Sequence, residues 1–304
     1  MRDYSPATEG YAAFRGYKTR FRVVGKTRSR HALICIHGGP GYGLDYLEPL
    51  EEMQATGRQV VFYDQLGCGR SDHLRPGAAW SLELFVAELE AVIAAAGLFD
   101  CHVLGHGWGG MIALEYALRH PAGVASLVLS GTPASVPKWR AELAGLIRRL
   151  PEEIRAPLER QRRSGAPDTA PSRGLVDAFL RRHLCLLNPW PEELERSLAQ
   201  ARREPGARAA LLGASELEPG GLLADWDLVP RLGEIDVPTL VTSGRADLVP
   251  PPLAAVLYRE IPRSEWVVFE HSAHMPHLEE PQHYLEVLDG FLARVEVRAQ
   301  LAPA

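Results

Sequence analysis

The sequence predicts an α/β fold: a mostly parallel, doubly wound sheet carrying a helical insertion. Three observations predict it. Short continuous apolar runs recur along both ends of the chain, as strands buried on both faces should. Helix-period segments separate those runs. One long stretch, residues 132–227, has no strong strand signal, and the alternation resumes after it.

Phe21-Arg22-Val23-Val24 reads as a strand, followed by Ala32–Ile36 and Gln59–Tyr63. Residues 81–96 place Leu82, Phe85, Val86, Leu89, Val92 and Ile93 on one helical face, with Ser81 as N-cap. Cys101–Leu104 is the next strand and Gly110–Leu114 opens a helix; Ala125–Leu129 is a further strand. The stretch 132–227 is rich in Arg, Glu and Pro and mostly helical in pattern. It reads as a cap over a core made of residues 1–131 and 228–304. Thr239–Thr242, a helix near 251–260, Trp266–Phe269 and an amphipathic helix from Pro281 to Val295 complete the core.

Bulk properties exclude several functions. The chain has 304 residues, 46 % hydrophobic and 23 % charged, with a net charge of −5. That balance favours neither nucleic acid nor an anionic membrane surface. The Arg runs at 160–163 and 202–203 alternate with Glu and read as solvated helix faces. No apolar run approaches a membrane span. The N-terminal Met1–Ser5 carries no signal-peptide core, so a cytoplasmic location is expected. Cys35, Cys68, Cys101 and Cys185 lack metal-ligand spacing, and neither a metal nor a cofactor is expected.

Chemistry is expected in loops at the carboxyl ends of strands. His37-Gly38-Gly39-Pro40-Gly41 follows one strand, and its backbone N–H groups suit a developing oxyanion. Asp64 to Asp72 follows the next and reads as a loop braced by Asp and Arg. Gly105-His106-Gly107-Trp108-Gly109 joins a strand to a helix. A Gly-x-Ser-x-Gly pentapeptide at such a turn is the nucleophile elbow of α/β-hydrolases, and here glycine stands at the serine position. Asp247, in Gly244-Arg245-Ala246-Asp247, and His274, in His271–His277, follow later strands. Elbow, then Asp, then His is the triad order of that fold.

These residues resemble the proline iminopeptidase family of α/β-hydrolases, peptidases that release an N-terminal residue. The resemblance rests on His37–Gly41, Asp64–Asp72, the Gly-His-x-Trp-Gly-Gly elbow, Gly-Arg-x-Asp at 244–247, and His274 followed by Glu279-Glu280-Pro281. It implies Asp247 as orienting acid, His274 as general base, and the N–H groups of Gly39 and Trp108 as oxyanion hole. It also makes Gly213-Ala214-Ser215-Glu216-Leu217 similar to the segment whose Glu holds the substrate's α-amine. Glu216 is then the amine-recognition candidate, with His37 and Gly38 as further substrate contacts and a second acid unplaced. Trp226 matches the family's Asp-Trp pattern at the end of the cap. His106, His271 and His277 receive no catalytic role. The local variant is similar to members that act as amino-acid amidases or remove aminoacyl groups. A small peptide, an amino-acid amide or an aminoacyl-substituted small molecule is the implied partner.

Gly107 leaves three readings: serine replaced in an otherwise competent hydrolase, a natural scaffold that binds without cutting, or altered His/Asp chemistry. Glycine relieves a positive-φ strain that costs other residues about 1–3 kcal/mol, so folding is expected to survive while activity does not.

Overall fold

The protein, as a computed structural model, is described over residues 7–26, 30–75, 78–164, 170–213 and 215–301. The N-terminal Met1–Ser5 and Ala214 of the Glu216 segment lie outside these residues. Eight strands form one sheet: β1 (Thr8–Phe14), β2 (Tyr17–Val24), β3 (Ala32–Ile36), β4 (Val60–Tyr63), β5 (Cys101–His106), β6 (Val124–Ser130), β7 (Thr239–Gly244) and β8 (Ser264–Phe269). Their order is β1-β2-β4-β3-β5-β6-β7-β8. Only β2 runs against its neighbours. Every residue of β3, β4 and β5 is buried, as their unbroken apolar runs require.

The chain runs from β3 outward to β4, then returns to place β5 on the other side of β3. The loops after β3 and β5 therefore leave the sheet at a topological switch point, where such sheets form a ligand crevice. Helix α1 (Leu82–Ala95) precedes β5. Its N-cap is Ser81, whose side chain accepts from the Leu84 N–H at 3.1 Å. Helix α2 (Trp108–Ala117) follows β5 directly, with Gly107 as its N-cap residue.

Between β6 and β7 come α3 (Val136–Arg148), α4 (Glu152–Ser164), α5 (Ala170–His183), α6 (Glu192–Arg203) and α7 (Gly206–Leu211). An antiparallel bridge between Ser135 and Asp227 ties the start of this insertion to its end. Val136 N–H donates to the Trp226 carbonyl and Leu228 N–H to that of Ala134. The Trp226 indole is held by Glu115 of α2 at 2.8 Å. Helices α8 (Pro251–Glu260), α9 (Pro276–Glu279) and α10 (Pro281–Leu301) complete the core.

Among the elements not foreseen, two stand out. Strand β1 mixes Gly and Ala with an exposed edge, so its alternation is weak. The helical turns of Asp45–Thr56 contain Pro49 and follow no helical period strongly. They nonetheless bury Tyr46, which matters for the site. The final helix extends six residues past its expected end, to Leu301.

Candidate active site

The elbow forms where its glycines require. Gly107 adopts φ 54° and ψ −114°. That backbone is strained for any side chain-bearing residue. The Gly107 N–H is held by the Ser130 carbonyl at 2.8 Å.

The structure brings positions 107, 247 and 274 together. His274 Nδ1 lies 2.7 Å from Asp247 Oδ1, and Asp247 is fully buried. Nδ1 is therefore the donor in this pair, and in the neutral ring Nε2 keeps its lone pair. That lone pair faces Gly107: a Cβ placed there would stand 3.2 Å from Nε2. Asp247 Oδ1 also accepts the Val249 N–H at 2.7 Å.

The His274 loop is tied down around the imidazole. Glu279 accepts the N–H groups of Ala273 and Met275, at 3.0 Å to one oxygen, and that of Leu186 at 2.7 Å. Glu280 accepts from the Ser272 hydroxyl and the His271 N–H. The insertion joins in, since His274 N–H donates to the Leu184 carbonyl and Leu248 N–H to that of His183.

Gly39 and Trp108 line the same crevice as Gly107 and His274. Trp108 is the first residue of α2, so its N–H has no carbonyl one turn back and sits at the positive end of the helix dipole. Gly38 also lines the crevice, whereas the His37 side chain does not. His37 is fully buried, its Nε2 accepting the Gln65 N–H and its Nδ1 facing the Gly38 carbonyl. Direct substrate contact by His37 is therefore corrected to bracing of the loop. Gln65 reinforces that brace, donating to the His37 carbonyl and accepting from the Trp108 indole.

Asp64 is braced as its composition suggests, by Arg20 from β2 at 3.1 Å; the neighbouring Arg70 contributes its backbone N–H.

The crevice is narrow and runs from the bend at Gly107 to Glu216. Its walls are mainly apolar, with Trp139, Leu143, Phe179, Leu180 and Leu184 from the insertion. Glu216 reaches it, with Arg208 at 3.1 Å from its Oε2. Among the described lining residues Glu216 is the one acid, so the second acid has no candidate there. A neighbouring, more open hollow of about 430 Å³ shares Tyr42, Leu180, Arg208 and Glu216, and adds Asp177 and Arg202.

Three further contributors shape the site, of which His277 reads in the sequence as a loop hydrogen-bonder or pocket wall. His106 Nε2 donates to the His274 carbonyl at 2.8 Å, so its Nδ1 accepts from the Tyr46 hydroxyl at 2.9 Å. The same hydroxyl accepts the Gly38 N–H at 2.6 Å. Burial, with His274 and His277 adding to it, drives the His106 pKa well below the usual value, so the ring is neutral. It links the Gly38 loop to the base loop and is no nucleophile. His277 is buried, bonds the Tyr46 carbonyl at 3.1 Å, and is pushed by burial to about 3. The third contributor is Gly131, at the end of β6. A Cβ there would meet His274 Nδ1 at 2.6 Å and Asp247 Oδ2 at 3.1 Å. In a serine-bearing background, Gly131→Ala is expected to lower kcat about a hundredfold by displacing the ring. Steady-state kinetics beside a circular-dichroism melt separates that loss from unfolding.

A family model for the alpha/beta hydrolase fold matches residues 31–281. A proline iminopeptidase of Clostridium botulinum is 35 % identical over 288 residues, 94 % of this chain and 98 % of that protein. The chain belongs to the proline iminopeptidase family of α/β-hydrolases. Among solved structures, the proline iminopeptidase of Mycobacterium smegmatis superposes with a TM-score of 0.89 at 34 % identity. VinJ superposes with a TM-score of 0.91, also at 34 %. Each alignment covers 96 % of this chain and all of the other. The membership establishes a peptidase-like hydrolase scaffold of iminopeptidase type. No helix among the described residues is long and apolar enough to cross a membrane.

Proposed function

We propose that this chain is a proline-iminopeptidase-like scaffold that takes an amine-bearing peptide, amide or aminoacyl compound. Glycine at 107 prevents it from forming an acyl-enzyme. The observation that carries the reading is the His274 lone pair aimed at the empty side-chain position of Gly107, 3.2 Å from the Cβ site.

With serine at 107 the chemistry follows from the geometry. His274 takes the hydroxyl proton as Oγ attacks the scissile carbonyl. The N–H groups of Gly39 and Trp108 receive the oxyanion. His274 returns its proton to the leaving amine, and water then cleaves the ester. With glycine, ligand recognition remains and the first bond cannot form.

In this reading residues 132–227 form the lid over the crevice, and the Glu216 carboxylate holds the substrate ammonium while also accepting from Arg208. A carboxylate–ammonium hydrogen bond contributes about 1.5–3 kcal/mol. Glu216→Gln, in the serine background, is expected to raise KM roughly ten- to a hundredfold for substrates with a free amine. N-acetylated analogues are expected to stay poor with either residue. Equal loss on both would remove Glu216 from amine recognition.

A second reading has one observation in its favour. The missing hydroxymethyl group leaves space beside His274 Nε2, where a bound water would be activated directly. Turnover of aminoacyl amides by the unaltered chain, abolished by His274→Ala, would favour it; turnover that survives that change would eliminate it.

A further inference from the structure

The opposite end of the sheet gathers His31, His102 and Glu296, far from the crevice. We propose that these three residues bind one zinc-class divalent cation and thereby fasten α10 to the sheet. His31 directly precedes β3, His102 is the second residue of β5, and Glu296 lies near the end of α10. The crevice lies at the carboxyl ends of those strands, so this cluster is a separate site.

The donor set fits such an ion. Each residue offers one ligand atom, and all three atoms lie within 4.8 Å of one another. Ligand atoms about 2.0–2.2 Å from zinc stand roughly 3.5 Å apart. A contraction of about an ångström therefore closes the cluster. Two His and one carboxylate form an established zinc donor set, with water completing the tetrahedron.

Independent observations support the site. His31 Nδ1 is buried and has no hydrogen-bond partner among the described residues. A buried nitrogen left so is costly unless something fills the role. His102 has its supporting partner: Nδ1 lies 2.8 Å from the Ser126 hydroxyl, and Nε2 points to Glu296 Oε1 at 3.2 Å. Moving its proton to Nδ1 would let that nitrogen donate to Ser126 and free Nε2 to ligate, with no net proton release. Arg58 holds Glu296 Oε1 at 2.8 Å, the outer support a ligating carboxylate normally has. His31 and Glu296 also line a solvent-open cavity that gives the ion entry and leaves room for the water.

Two guanidiniums oppose the ion. Arg58 carries one charge, and Arg30 stands 3.8 Å from Glu296 Oε2. Asp289, 3.3 Å from Arg58, offsets part of this. The balance sets an affinity below that of a closed structural zinc site.

The test uses the full chain after chelation and dialysis, with zinc chloride as the probe. Competition against a chromogenic chelator should show one zinc per chain. Saturating zinc should raise Tm by a few degrees, since a ligand bound by the folded state alone stabilises it. His31→Ala and Glu296→Gln should each weaken uptake at least tenfold and remove the rise in Tm. His283→Ala, at an exposed histidine outside the cluster, should change neither. Absence of stoichiometric uptake by the unaltered chain overturns the proposal. So does uptake undiminished in both cluster variants, or an equal rise in Tm with calcium, which selects oxygen donors.

Discussion

Gly107→Ser is expected to raise kcat on aminoacyl p-nitroanilides by about a million-fold, the scale on which subtilisin depends on its own triad serine. The remaining parts of the apparatus are already assembled around the bend. Asp247 holds the Nδ1–H of His274 at 2.7 Å, and the lone pair of Nε2 faces the bend. Gly39 and Trp108 line the same crevice. The new Cβ would lie 3.2 Å from Nε2, so the ring must withdraw by a few tenths of an ångström. A φ of 54° with a side chain costs about 1–3 kcal/mol. The variant should therefore gain activity and lose stability together. Initial rates on a panel of small N-terminal residues, beside a denaturant melt, measure both. A folded variant inert on the whole panel would end the peptidase reading.

Asp247→Ala in that serine background should then lower kcat about 10⁴-fold, the cost of deleting the corresponding acid in subtilisin. The carboxylate fixes the tautomer of His274 and stabilises the imidazolium formed during attack. It also accepts the Val249 N–H, so its removal loosens the loop behind the base. KM should change far less than kcat, because the carboxylate is fully buried and is not among the residues lining the crevice. A loss of less than tenfold would show that His274 is oriented by something else.

Much of this was legible in the chain because the relevant signals are local. The buried strands β3, β4 and β5 are unbroken apolar runs. The elbow, the His37–Gly41 loop and the His274 loop are short strings whose glycines and polar residues sit at strand ends. Strand β1 was less legible, since an edge strand buries few residues and tolerates Gly and Ala. The reading of His37 as a substrate contact erred for a related reason. Its place beside Gly38 is visible in sequence, but the direction of its ring is set by Gln65, 28 residues away.

The sequence by itself determined the class of sheet, the chain order of positions 107, 247 and 274, and the glycine at the first of them. Each is written in a few consecutive residues or in a periodic pattern. Tertiary structure alone decided which groups serve those positions. Tyr46 meets His106, Gly131 makes room for the His274–Asp247 pair, and His31 gathers with His102 and Glu296. These partners lie tens to hundreds of residues apart. Their meeting depends on strand order and loop direction, and a single side chain carries no mark of either.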